Sequence, residues 1–190
     1  MPLLYVSRLG NVSVRELHHA AAAAKSAFPQ LHVEVLEWRL EPEVEAYDAE
    51  RAQYVSDEIL EQLHELREEL DADYLLAVAG VDAYTWGLNF VFGQANPMLR
   101  VAAVYTPRLR PGFYGGGGNE TLYLERLEKE VIHELGHLLG LGHCTNPRCV
   151  MRFSNTIFEV DSKTAMFCRS CAHELEKRGV KVSPSRVLDS

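Results

Sequence analysis

Apolar positions recur along this chain with two periods, and the switches between them lay out an α/β order. Leu3 to Val6 is a short apolar run, read as a buried strand. From Val14 to Phe28 the apolar residues Val14, Leu17, Ala21, Ala24 and Phe28 recur three or four apart, which predicts a helix. Ser13 suits its N-cap and Pro29 its stop. Leu31 to Trp38 alternates apolar with polar, the period of a half-buried strand. After a polar connection, Asp48 to Leu70 reads as a long helix with a solvated acidic face that includes His64. Tyr74 to Gly80 is continuously apolar, as in a strand covered on both faces.

This strand–helix–strand–helix–strand order favours a parallel sheet with right-handed crossovers. Leu88 to Gln94 and Val101 to Thr106 read as two further strands with no helix between, hence antiparallel neighbours and a mixed sheet. Pro107 to Asn119, with glycines at 115 to 118, reads as a connector or a flap; it lacks the ending of a phosphate loop. Glu120 to Leu139 then forms a helix capped by Asn119 or Thr121, with Leu124, Leu127, Val131, Leu135 and Leu138 facing the sheet. Arg126 and Glu130 share its histidine side; either could touch substrate or the groups around the site, but a surface ion pair is the favoured reading. Ser170 to Gly179 is a last helix, and 180–190 a frayed tail. His18 and His19 have no ligand spacing to anything nearby and read as surface residues; His173, two past Cys171, is a conceivable zinc ligand, but with four cysteines available it reads as a bystander.

Chemistry concentrates in one stretch, His133-Glu134-Leu135-Gly136-His137-Leu138-Leu139-Gly140-Leu141-Gly142-His143-Cys144. Residues four apart share a helix face, so His133 and His137 can hold one metal ion. Glu134 lies one step round, placed to serve a water as general base. Gly140 suits the helix end, after which the chain can return His143 as a third ligand. Three protein ligands leave a zinc position open, as catalysis requires.

All four cysteines fall between 144 and 171. The C-x4-C spacing of Cys144 and Cys149 and the C-x-x-C of Cys168 and Cys171 favour a structural zinc over two disulfides. Hydrophobic content of 47% and charge of 24% over 190 residues fit one globular domain. A net charge of −8 disfavours a broad nucleic-acid surface. No stretch approaches a membrane span, and the N-terminus lacks a basic region before its apolar run. Cytoplasmic residence and a monomer are the expectations.

The continuous pattern from His133 to Cys171 resembles the archaemetzincins, within the metzincin clan of zinc peptidases. The resemblance implies an α/β fold: a metzincin-like mixed five-stranded sheet with helices, plus a small zinc-stapled C-terminal subdomain. It places the antiparallel edge strand at Leu88 to Ala95 above the cleft. It makes Met151 the methionine of the turn beneath the three histidines, an apolar floor rather than a ligand. The chain is expected to be one catalytic domain over 1–190, with an upper part at about 1–142 and a lower four-cysteine part at about 143–182.

The expected function is hydrolysis of peptide or protein substrates, endopeptidase or aminopeptidase unresolved. His133, His137 and His143 would hold a catalytic zinc, Glu134 would be the general base, and Cys144, Cys149, Cys168 and Cys171 would hold a structural zinc. Two zinc ions per chain follow. The alternatives are a metzincin-fold binding module with little peptidase activity and, last, a nucleic-acid-binding zinc module built on the locally basic Arg148, Arg152, Arg169, Lys177, Arg178 and Lys181.

Overall fold

The structure, a computed structural model, describes residues 1–189. In chain order the elements are β1 (Leu3–Leu9), α1 (Val14–Ala27), β2 (His32–Leu40), β3 (Tyr47–Asp48), β4 (Gln53–Val55), α2 (Ser56–Glu69) and β5 (Tyr74–Ala79). They continue with β6 (Ala83–Tyr84), β7 (Gly93–Asn96), β8 (Val101–Tyr105), α3 (Glu120–Leu138), α4 (Ile157–Ser162) and α5 (Arg169–Lys177). The main sheet runs β2-β1-β5-β8-β7, parallel except for β7, and β3, β4 and β6 form a second small sheet.

Alternation along the central strands divides the core. Leu76, Val78, Ala102 and Val104 pack with α1 and α3 on one face. Leu75, Ala77, Val101 and Ala103 pack with Ile59, Leu60 and Leu63 of α2 on the other. Because both faces are covered, these strands read as unbroken apolar runs. The predicted stripe of α3 lies in the first of these clusters, with Leu124 only partly buried. Asn119 caps α3 by accepting from the Leu122 N–H at 3.1 Å.

Several expectations are corrected. The second helix begins at Ser56, not Asp48. Asp48 accepts the N–H groups of Glu50 and Arg51, closing a turn that ends the helix reading, and Ala52 takes a positive φ of 53°. Tyr54 then pairs with Ala83 as strand instead of facing inward from a helix. The edge strand is shorter than expected: Leu88 to Phe92 form a loop held by Val91 N–H to Ala83 O, and regular pairing starts at Gly93 opposite Val104. Before the glycine run, Pro107–Leu109 and Pro111–Tyr114 make 3-10 turns.

The expected frayed tail is anchored as far as Leu188. Val187 pairs with Phe167, Leu188 is buried, and Arg186 donates to Ser26 Oγ and Glu128. Arg126 and Glu130 are not a surface pair either; both are buried with other partners. Arg126 forks onto Asp161 at 2.7 Å through two nitrogens, and Lys163 Nζ lies 2.8 Å from Glu130 Oε1. Burial on this side of α3 comes from the segment around α4, which no local pattern announces.

Candidate metal centre and cleft

Helix α3 carries His133, Glu134 and His137, and its end sets the third histidine. Gly140 has φ of 105°, a left-handed conformation that glycine adopts without strain. Its N–H bonds to His137 O at 3.0 Å, and Leu141 N–H to Gly136 O at 2.9 Å. This closed helix end turns the chain so that His143 meets the other two. The ring centroids stand 4.6 Å apart for His133 and His137, 4.8 Å for His137 and His143, and 5.5 Å for His133 and His143. One nitrogen from each ring falls within 4.8 Å of the others.

The second nitrogens define the tautomers. His133 Nδ1 faces the Val150 carbonyl at 2.7 Å and His137 Nδ1 faces the Leu141 carbonyl at 2.8 Å. A carbonyl can only accept, so each Nδ1 carries the hydrogen and each neutral ring offers its Nε2 lone pair. Those two Nε2 atoms face each other at 3.0 Å. Burial, reinforced by the Lys163 charge, holds His133 well below the ordinary imidazole range; burial also lowers His137 and His143. Neutral rings with converging lone pairs suit a divalent cation, and the backbone carbonyls orient them as metal-bound imidazoles need.

Glu134 is buried beside this group, 3% exposed, where its carboxyl also lines the cleft. Burial, then the neighbouring Glu130 carboxylate, push its pKa well above the carboxylate range, with Lys163 opposing. Gly93, the first residue of β7, covers it: a Cβ there would come within 2.5 Å of Glu134 Oε1. Met151 is fully buried under α3, and its sulfur occupies the space that a side chain on Gly136 would need. His143 packs on Phe153, with ring centroids 5.1 Å apart.

The cysteines form the second group. All four are free thiols, and their Sγ atoms lie within 4.8 Å of one another. Backbone N–H groups point at the sulfurs: Cys168 N–H to Cys149 Sγ at 3.3 Å and Asn146 N–H to Cys144 Sγ at 3.4 Å. Hydrogen bonding from Cys171, opposed by burial but aided by the amides of Cys168 and Met151, brings the Cys149 thiol down to about 5. Four sulfurs at this separation, with amides serving thiolate charge, fit a tetrahedral zinc site.

A profile of peptidase family M54 matches residues 21–177. The chain belongs to this family. An archaemetzincin of Pyrococcus horikoshii is 48% identical over 132 residues, 70% of each chain. One from Aeropyrum pernix is 47% identical over 138 residues, 72% of each chain. Among solved structures, archaemetzincin from Methanopyrus kandleri superposes with a TM-score of 0.81 at 34% identity, covering 93% of this chain and 94% of that one. A zinc-dependent peptidase from Methanocorpusculum labreanum gives 0.83 at 30% identity, covering 90% and 99%. The M54 chain is therefore a zinc metallopeptidase acting on peptide or protein substrates, with the mixed α/β fold its motif implied. No helix among the described residues is long and apolar enough to cross a membrane.

The seven histidine and cysteine positions singled out in the sequence gather into the two groups described, and Met151 packs against Gly136 of the helix that carries the first two histidines. Sequence reasoning missed Gly93, Lys163 and the Val150 carbonyl. Lys163 is 33 residues from Glu130 and reaches it only through the tertiary fold. The charge of Glu130 in an otherwise core-facing stretch was the one available signal.

Proposed function

We propose that this metallopeptidase hydrolyses peptide bonds at the cleft where His133, His137 and His143 converge, with Glu134 as general base. The observation that carries the reading is that convergence itself: three neutral imidazoles beside one buried carboxylate. Zinc held there would acidify water and polarise a carbonyl. Glu134 takes the proton from the attacking water and returns it to the departing amine. Gly93 above and Met151 below fix the positions of Glu134 and the histidine helix. The substrate lies extended along the edge strand near Gly93 to Asn96, where an edge offers backbone pairing.

Cys144, Cys149, Cys168 and Cys171 hold a second, structural zinc, giving two ions per chain. The chain works as one catalytic domain over 1–190, with an upper sheet-and-helix part to about 142 and a lower part at about 143–182. We take it as a cytoplasmic monomer that does not bind nucleic acid or membrane; a thiolate site suits a reducing compartment.

Incubating metal-analysed protein with a diverse peptide mixture, and reading products by mass spectrometry, tests the reading. Cleavage that stops on chelation and returns with zinc is expected. Zinc-replete protein that leaves every peptide intact contradicts it.

A further inference from the structure

A second hollow opens beside the cleft, and the hydrolytic account leaves it unused. It holds about 460 Å³ between the loop before β7, the 3-10 turn Pro111–Tyr114 and the segment leading into α4. Phe90, Pro111, Tyr114, Ile157 and Phe158 line it. Phe158 is 77% exposed and Tyr114 46%, although both are large aromatic side chains. Scattered apolar residues at a surface are ordinary, but several gathered round one concavity mark a binding surface.

The charged groups on its lining already have partners. Arg108 forks onto Asp82 at 2.7 and 2.9 Å, and its guanidinium lies over the Phe90 ring, 4.3 Å from the centroid. Arg126 forks onto Asp161 and also donates to the Leu109 carbonyl at 2.9 Å. Each guanidinium faces its own carboxylate, so a charged ligand finds no open counter-charge here. The lining suits a neutral, apolar occupant.

Three walls carry the hollow on into the cleft. Phe90 lines the hollow and Phe92 the cleft, their rings edge to face with centroids 5.0 Å apart. Phe153 and Ser154 line the cleft, and Asn155 to Phe158 line the hollow. Along α3, Arg126 belongs to the hollow, and Glu130 and Glu134 to the cleft. One groove therefore runs from the three histidines past Gly93 toward α4. At 1.5 Å per helical residue, Arg126 stands about 12 Å along α3 from Glu134. An extended chain advances about 3.3 Å per residue and covers that distance in about three or four residues. Successive side chains of such a chain point to opposite sides, so one of those two positions faces the hollow.

We propose that this hollow is a secondary specificity site for the peptidase. It takes a large apolar side chain of the substrate, aromatic above all, about three or four residues from the scissile bond on the side that passes Phe90. The proposal rests on the metallopeptidase reading of the adjoining cleft.

The test uses zinc-loaded full-length protein and two series of short peptide hydroxamates. One series carries the metal-binding group at the carboxyl end of the chain and the other at the amino end, so the two extend from the histidines in opposite directions. Within each, the third or fourth residue from the hydroxamate is phenylalanine, alanine, glutamate or lysine. Calorimetry reads binding without requiring turnover. In one series only, phenylalanine at one of those positions is expected to bind at least about tenfold more tightly than alanine, the scale for burying one aromatic side chain. Glutamate and lysine are expected to match alanine. Phe158→Ala should remove most of that advantage and Phe158→Tyr should keep it, with zinc content and the affinity of the alanine compounds unchanged in both. Equal binding of phenylalanine and alanine in both series would overturn the proposal while leaving the cleft reading intact, as would glutamate or lysine binding as tightly as phenylalanine. Failure of every hydroxamate to bind would overturn both. A phenylalanine preference unaltered by Phe158→Ala would also overturn the assignment to this hollow, and loss of self-association of that variant in sedimentation would then give the hollow to a second copy of the chain.

Discussion

Gly93 and Glu134 are in contact across the cleft: the glycine backbone lies so close that a Cβ would fall 2.5 Å from Oε1 and 2.8 Å from Cγ of the glutamate. The first residue of the edge strand therefore sets the place of the proposed general base. Gly93→Ala should push the Glu134 carboxylate aside, since a side chain yields more easily than backbone. A displacement near 1 Å can cost about a hundredfold in rate. We expect kcat/KM to fall by roughly ten- to a hundredfold, with both metal contents unchanged. Steady-state kinetics with elemental analysis check this, and an unaltered rate would show that Gly93 does not position Glu134.

Glu16 offers a pH-dependent prediction away from the site. Its carboxylate caps α1 by accepting from Ser13 N–H at 2.7 Å, and it also accepts from Tyr123 and Arg110. Burial pushes its pKa up, but these bonds together outweigh burial and hold it below its usual value of 4.5. A carboxylate with a lowered folded pKa stabilises the fold above its unfolded pKa, and that contribution is lost as pH falls through the folded value. Glu16→Gln should therefore cost about 1–2 kcal/mol at pH 7. The gap from wild type should narrow as the pH falls below 4.5. Urea unfolding at several pH values measures it; a gap independent of pH would contradict the assignment.

The two metal groups meet at the single bond between His143 and Cys144. His133 and His137 are fixed by α3, whereas His143 follows Gly140 and Gly142 and depends on what holds Cys144. The Cys144 N–H donates to the Met151 carbonyl at 2.9 Å, so part of that restraint exists without metal. Cys168→Ser should release the structural zinc and weaken the catalytic one by roughly tenfold, because ordering a residue costs about 1–2 kcal/mol. Chelator competition, with circular dichroism to confirm the upper fold, reads the effect. Wild-type protein should carry two zinc ions in the same analysis. Unchanged catalytic affinity after loss of the structural ion would show that the sites are only neighbours in sequence.

How much was legible depended on how local the cause was. The buried strands β1, β5 and β8 stood out because both faces are covered, and α1 and α3 because one apolar stripe decides each. The capping box of Ser13 and Glu16 was only half read: the serine was named, but not the glutamate three residues on. The region from Asp48 to Val55 was misread because Tyr54 fits either a helix stripe or a strand, and the Asp48 turn decides between them. The histidine and cysteine sets were legible from short spacings within 133–171. What surrounds them was not. Gly93, Lys163 and the anchored tail act through contacts between distant segments, and nothing local distinguishes Lys163 from a surface lysine.

The central claim is that Glu134 moves the proton for a reaction assembled on His133, His137 and His143. Glu134→Ala tests it most directly, since the proposal assigns that side chain to the water, and the metal to the three histidines. Zinc content by native mass spectrometry and cleavage of a susceptible peptide should be measured on the same sample. The expected result is wild-type zinc with hydrolysis reduced by at least about a hundredfold, the scale of general-base catalysis. Wild-type turnover in a variant that retains its zinc would contradict the account.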